Sequence, residues 1–249
     1  MILTVENLSY AYQKTPVLMD LSFQTHPGLT AVLGPNGAGK STLFQCMLGL
    51  KHGYTGSIRY GSQEVSTLSA RQLAQVVAYI SQSHHPAFDY SVYDVVLMGT
   101  TGRLSPYAAP GKRERAAAQR ALELVGITHL AQRDFLKLSG GEQQLVLASR
   151  ALAQETEVLI MDEPTANLDY GNQIRVLECV KQLAANGYTV LLSTHNPQNA
   201  LSYADKVLAL QEGRVLAYGA PQEVLTAELI KRLYGINVSI AGQQIVLRR

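Results

Sequence analysis

The chain has 249 residues, 47% of them hydrophobic, and a formal net charge of +2. That length can build one large core or two small ones, the near-balanced charge argues against nucleic acid as a partner, and no apolar run approaches the roughly 18 residues of a transmembrane helix. The opening MILTVENLSYAY lacks the basic and apolar regions of a signal peptide, and Cys46 and Cys179 fall in helical patterns with no partner spacing. A cytoplasmic, reducing setting is expected, with both cysteines as small buried hydrophobes.

Residues 1–60 read as β structure with turns: TVENLSYAY alternates, LTAVLG has a buried-strand pattern, and GSIRYG is a further strand. A helical signal runs from Gly39 through Leu48. Residues 69–77 also look helical, and VVAYIS after them looks like a strand. Segment 83–150 changes character, with no convincing buried strand after Tyr93. It contains the helix KRERAAAQRALELV after Pro110, stopped by Gly126. It closes on LSGGEQQLVLASRALAQ, Leu138 to Gln154, whose Leu145, Ala148 and Leu152 share one helical face. Strand and helix then alternate again. EVLIMDEP is a strand ending in two acids. Asn172 to Ala185 is a helix with Ile174, Leu177, Val180 and Leu183 inward, stopped by Gly187. YTVLLSTH is a strand ending in a histidine, and DKVLAL and RVLAYG form a closing β pair. This alternation specifies an α/β fold with a mostly parallel sheet covered by helices.

Several short stretches carry chemistry. GPNGAGKST, Gly34 to Thr42, fits G-x-x-x-x-G-K-[ST] between a strand and a helix. The backbone N–H groups of Asn36, Gly37, Ala38, Gly39, Lys40, Ser41 and Thr42 can wrap phosphates, Lys40 can pair with β- and γ-phosphates, and Ser41 offers a hydroxyl to Mg²⁺. Asp162 and Glu163 end a strand, where ligands bind in open α/β sheets; Asp162 suits Mg²⁺ and Glu163 suits a general base for water. His195 follows a neighbouring strand and would face the γ-phosphate. Gln82 follows VVAYIS and could complete the Mg²⁺ or water shell. His84 and His85 have no third ligand at a suggestive spacing and read as a polar loop. Tyr10 and Tyr12 read as core packing or as a ring that stacks on a base. Ser139 and Glu142 make an S-x-x-E capping box, yet Gly140 and Gly141 between them weaken the helix start.

Together these elements resemble the nucleotide-binding subunit of an ATP-binding cassette (ABC) transporter over essentially the whole chain. The motifs are GPNGAGKST (Walker A), Gln82 in YISQS (Q-loop), LSGGE (signature, in place of the commoner LSGGQ), VLIMDEP (Walker B), ANLD at 166–169 (D-loop) and STH ending at His195 (H-loop). The resemblance implies a P-loop NTPase core (1–82 and 151–249) with an N-terminal antiparallel β subdomain and an inserted helical lobe (83–150), together one nucleotide-binding domain. It implies ATP and Mg²⁺ as cofactors, with Tyr12 stacking on the base. It further implies a head-to-tail dimer in which Ser139, Gly140, Gly141 and Glu142 of a second copy close each ATP site, with Asp169 at the seam. Lys40, Gln82, Glu163 and His195 would be catalytic, and Ser41, Gln82 and Asp162 would hold the metal.

The same resemblance places the chain at the cytoplasmic face of the membrane, attached to an integral permease and working indirectly with a substrate-binding protein. FDYSVYDVVLMG (Phe88–Gly99) and the tail PQEVLTAELIKRLYGINVSI (Pro221–Ile240) resemble metal-chelate importers of siderophores, haem, cobalamin or metal oxyanions. GTTGRLSPYAAPG departs from that group, where many relatives go directly to G-R. Two alternatives are a non-transport ATPase, such as that of iron–sulfur cluster assembly, and a small P-loop kinase, against which the signature and D-loop argue.

Overall fold

The computed structural model describes residues 1–81, 89–105 and 108–248. It opens with two long antiparallel strands, β1 (Leu3–Tyr12) and β2 (Thr15–Thr25), which bury Leu3, Val5, Leu8, Leu18, Leu21 and Phe23. The alternation expected of these strands breaks at bulges. There Asn7 (φ 50°) and Asp20 (φ 56°) adopt left-handed backbone and Asn7 Nδ2 donates to Asp20 Oδ1 at 2.9 Å. Asn and Asp tolerate that region better than other side chains do.

β3 (Gly28–Leu33) leads through the glycine-rich loop into α1 (Lys40–Met47). β4 (Thr55–Tyr60) and β5 (Gln63–Glu64) complete an antiparallel sheet of order β2-β1-β4-β5. The helix expected over 69–77 is a single turn, α2 (Ala70–Leu73), capped by Ser69 and Gln72. It stops because Val76 and Val77 are buried β-branched residues, and Gln154 Nε2 draws the Val77 carbonyl into a 3.1 Å hydrogen bond at the start of β6 (Val77–Ile80).

Next come α3 (Val92–Met98), α4 (Lys112–Val125) and α5 (Gly140–Ala153). Among the described residues between β6 and α5 the only β feature is a bridge between Ser91 and Asp134. Gly126 ends α4 in the left-handed region at φ 78°, as its sequence position implied. α5 runs past position 150, and its Val146, Leu147 and Ala151 share one apolar cluster with Leu122 of α4 and with Ile80 of the sheet. The helical segment therefore has no core of its own.

The second half supplies β7 (Val158–Met161), α6 (Tyr170–Ala185), β8 (Thr189–Thr194), α7 (Pro197–Tyr203), β9 (Lys206–Gln211) and β10 (Arg214–Gly219). α6 buries Val176, Leu177, Val180 and Leu183, whereas Ile174 is half-buried. The large sheet has the order β10-β9-β3-β8-β7-β6; all neighbours are parallel except β10 on β9. α8 (Pro221–Val224), α9 (Ala227–Tyr234) and a hairpin of β11 (Val238–Ala241) with β12 (Gln244–Leu247) close the chain. The pairing β3-β8-β7 matters most. Leu33 lies opposite Thr194 and Met161 opposite Leu192, so the carboxyl ends of three adjacent strands emerge together.

Candidate functional site

The loop from Gly34 to Gly39 leaves the end of β3, and its base is tied to β8 by the Gly34 N–H donating to Thr194 O at 3.3 Å. Gly39 caps α1 at φ 103°, backbone that disfavours any side chain, and no side chain caps the helix. The first-turn N–H groups of α1 are thus without a side-chain acceptor, the arrangement that suits an anion. Val17, Asn36 to Thr42 and Glu163 line a cavity of about 400 Å³ over this helix end. Lys40 is 6% exposed, and its ammonium donates to Gly34 O at 2.8 Å and Pro35 O at 3.2 Å. It also lies 3.4 Å from Glu163 Oε1.

The two acids behave differently. Asp162 is buried, its N–H donates to Ile80 O at 2.9 Å, and its Oδ1 accepts from Ser193 Oγ at 2.6 Å. Burial, with the charge of Asp162 behind it, pushes the nearby Tyr79 phenol up to about 12. Glu163 is half-buried with left-handed backbone at φ 46°. Its N–H donates to Ser193 Oγ at 2.8 Å, and its Oε2 lies 3.4 Å from His195 Nδ1. Lys40, Glu163 and His195, three of the expected catalytic residues, therefore converge. A second cavity of about 340 Å³, lined by Glu163, Asn167, Gln173, Ser193, His195 and Asn199 among others, lies against Glu163.

Gln82, expected to join them, lies outside the described residues, as do His84 and His85. Ser41 is exposed at the first turn of α1. Ser41 and Asp162 supply oxygen donors only, and among the described residues no group of three His, Cys, Asp or Glu forms a metal cage. Such a sparse oxygen set fits Mg²⁺, which keeps waters and takes the rest of its shell from phosphates. Tyr12 is 40% exposed, so core packing does not account for it. Its ring meets Tyr10 edge-on at 5.1 Å, Lys51 Nζ sits 4.9 Å from its centroid, and its hydroxyl donates to Gln45 Oε1 of α1 at 3.4 Å.

The expected capping box at α5 is present: Ser139 N–H and Oγ both donate to Glu142 Oε2, at 2.8 and 2.9 Å. The Ser139 backbone bond, then its hydroxyl bond, then the Arg133 and His129 charges hold the Glu142 carboxyl below its ordinary value. Ser139, Gly140, Gly141, Glu142 and Asp169 do not line the cavity over α1. Their nearest structural role is within the chain. Asp169 caps α6, accepting from Asn172 N at 2.9 Å and Asn172 Nδ2 at 2.7 Å. Asn172 in turn sits so close to α5 that a Cβ on Gly141 would lie 2.6 Å from the Asn172 Cβ.

Two residues with consequences went unread in the sequence. Asn172 carried no signal. Ser193 carried a faint one, as a hydroxyl at a wholly buried strand position beside apolar neighbours. Cys46 is buried as expected, whereas Cys179 is half-buried; burial raises both thiols to about 11.

A phosphate-cradling loop between a parallel strand and a helix, with acids at the end of the next strand but one, defines a P-loop nucleotide-binding domain. A family model described as "ABC transporter" matches residues 18–166. The hemin import ATP-binding protein HmuV of Bordetella pertussis is 39% identical, covering 100% of each chain. The zinc transport system ATP-binding protein TroB of Treponema pallidum is 38% identical, covering 94% of this chain and 87% of its own. A solved metal-chelate type ABC transporter in an inward-facing conformation superposes with a TM-score of 0.84 at 32% identity, covering 99% of this chain and 95% of that chain. The chain belongs to the ABC transporter ATP-binding family and is an ATPase.

Proposed function

We propose that this chain is the ATP-hydrolysing subunit of a bacterial or archaeal importer that takes up a metal chelate through a separate membrane permease. The convergence of Lys40, Glu163 and His195 beside the phosphate-loop cavity carries the hydrolytic part of this reading. Full-length similarity to a hemin import subunit and to a metal-chelate type transporter supports the cargo class. A zinc-transport relative at nearly the same identity leaves the individual cargo open within metal-bearing solutes. Among the described residues no helix is long and apolar enough to cross a membrane, so attachment at the cytoplasmic face would run through the permease.

In this reading ATP lies over the N-terminus of α1, with its base against Tyr12 and its phosphates wrapped by Asn36 to Thr42. Lys40, now shared between loop carbonyls and Glu163, turns to the β- and γ-phosphates, which frees Glu163 to orient and deprotonate water. His195, 3.4 Å from Glu163, is placed to support the γ-phosphoryl group in transfer. Asp162, Ser41 and Gln82 would hold Mg²⁺, which supplies charge neutralisation along the phosphates. The α5 N-terminus of a second copy, with Ser139 to Glu142, would close over the γ-phosphate, and Asp169 would lie at the seam. Opening and closing of this dimer would be passed to the permease and, through it, to a substrate-binding protein.

The test is co-expression with candidate permease subunits from the same genome, followed by reconstitution with a candidate substrate-binding protein. Co-purification, and ATPase stimulation by a metal-loaded chelate but not by the metal-free one, is expected. A chain that co-purifies with no membrane subunit, or whose ATPase ignores the chelates, would overturn the importer assignment and favour a soluble scaffold as partner.

A further inference from the structure

Ser193 is fully buried on β8, one residue before Thr194 and two before His195. A serine hydroxyl has one proton to give and lone pairs to receive. Here the proton goes to Asp162 Oδ1 at 2.6 Å, a short charge-assisted bond, and the lone pair receives the Glu163 N–H at 2.8 Å. One hydroxyl therefore links two consecutive acids to which the proposed function gives different tasks.

We propose that Ser193 is a positioning residue for hydrolysis: its hydroxyl fixes the rotation of the Asp162 carboxylate toward Mg²⁺ and locks the backbone of Glu163. Two observations carry this beyond simple satisfaction of buried groups. Glu163 is a non-glycine residue at φ 46°, a conformation that persists only where surroundings hold it, and its amide is held by Ser193. Its side chain, aimed by that backbone, is the one that reaches both Lys40 and His195. On the other side, Asp162 Oδ1 is committed to Ser193, which leaves Oδ2 for the cation. The serine thus sets the distance between the metal-facing oxygen and the water-activating carboxylate by bonds to adjacent residues of one strand end. Turning the Asp162 carboxylate, or re-aiming the Glu163 backbone, would each break a hydrogen bond to this one hydroxyl.

The inference rests on the ATPase reading of the site, and its test separates the two. Supporting groups behind a metal ligand change affinity or activity by about 10- to 100-fold when removed. Ser193→Ala is expected to lower kcat by about tenfold or more with KM for ATP within about twofold of wild type. Independently of turnover, Mn²⁺ binding in the presence of ADP, followed by electron paramagnetic resonance, should weaken by about tenfold, while ADP affinity in EDTA stays unchanged. Ser193→Thr should restore both quantities to within a few-fold. Ser193→Cys, nearly the same size but a weak donor, should fall between, and it serves if the alanine variant does not fold. Wild-type kcat and Mn²⁺ affinity in the alanine or cysteine variant would overturn the role of Ser193 and leave the ATPase reading intact. Native-rate hydrolysis by Glu163→Gln would instead overturn the reading of the acids themselves.

Discussion

Placing an alanine at Gly141 would set its Cβ 2.5 Å from Asn172 Oδ1 and 2.6 Å from Asn172 Cβ, closer than real contacts allow. Asn172 cannot swing aside freely, because Asp169 holds both its backbone N–H and its side-chain amide. Overpacking of this kind costs about 1–3 kcal/mol. Alanine recovers up to about 1 kcal/mol through helix propensity, less in a first turn, so a net loss of roughly 1–2 kcal/mol is expected. Gly140 provides the control. A Cβ there meets only Leu168 Cδ2, the end of a flexible side chain, at 3.1 Å, so Gly140→Ala should cost less than about 0.5 kcal/mol. Removing the obstacle with Asn172→Gly should make Gly141→Ala tolerable. In a double-mutant cycle the pair should be less destabilised than the sum of the singles by about 1–2 kcal/mol. The assay is urea unfolding of each variant without nucleotide, where contacts with a second copy do not contribute. Strictly additive effects, or a Gly141→Ala chain as stable as wild type, would refute the packing argument. They would leave contact with ATP across a dimer as the reason for the bare helix end.

Three further outcomes follow from the site. The lowered carboxyl of Glu142 means its share of stability is fully present at neutral pH and fades as pH falls below the ordinary glutamate range and through the lowered folded value. The stability difference between wild type and Glu142→Gln should therefore shrink between about pH 7 and about pH 3; a constant difference contradicts the capping role. Tyr12→Ala should raise KM for ATP about tenfold, the scale of one lost base stack, with Tyr12→Phe within about twofold; an unchanged KM would remove the ring from the base site. With both thiols raised to about 11, labelling by a disulfide reagent at about pH 8 should be far slower in the native chain than in urea, and equal rates would contradict the burial.

The parts of the fold read correctly from sequence are those in which local pattern and tertiary demand agree. VLIM and TVLLST are buried throughout because parallel strands are covered on both faces, and the capped amphipathic stretches at α4 and α5 are helices. The phosphate loop and the acids were legible because glycine, lysine and paired carboxylates are scarce in those settings for any other reason. Where a second element decides the outcome, the chain alone was silent. The shortening at α2 comes from the burial of Val76 and Val77 and from Gln154, just past the end of α5, and the bulges at Asn7 and Asp20 exist as a pair across two strands. Ser193 and Asn172 matter only because β7 lies beside β8 and α5 lies beside α6, adjacencies no periodicity states. In the stretch from Leu138, the sequence pattern gives a capped helix, and the resemblance alone gives its two glycines a role, against the ATP of a second copy. The pair now has an intrachain reason at Gly141, alongside the proposed contact with a second copy.

The proposed completion of each ATP site by the signature helix of another chain makes a direct prediction about assembly. It is tested most directly by mixing two variants in a Glu163→Gln background, one carrying Lys40→Ala and the other Ser139→Arg. Each alone has every composite site broken, whereas the heterodimer regains one site with an intact Lys40 and an intact Ser139. Sedimentation with ATP and Mg²⁺ should give dimers in the mixture and monomers in either variant alone. Monomers throughout, under conditions where the Glu163→Gln parent dimerises, would contradict the account.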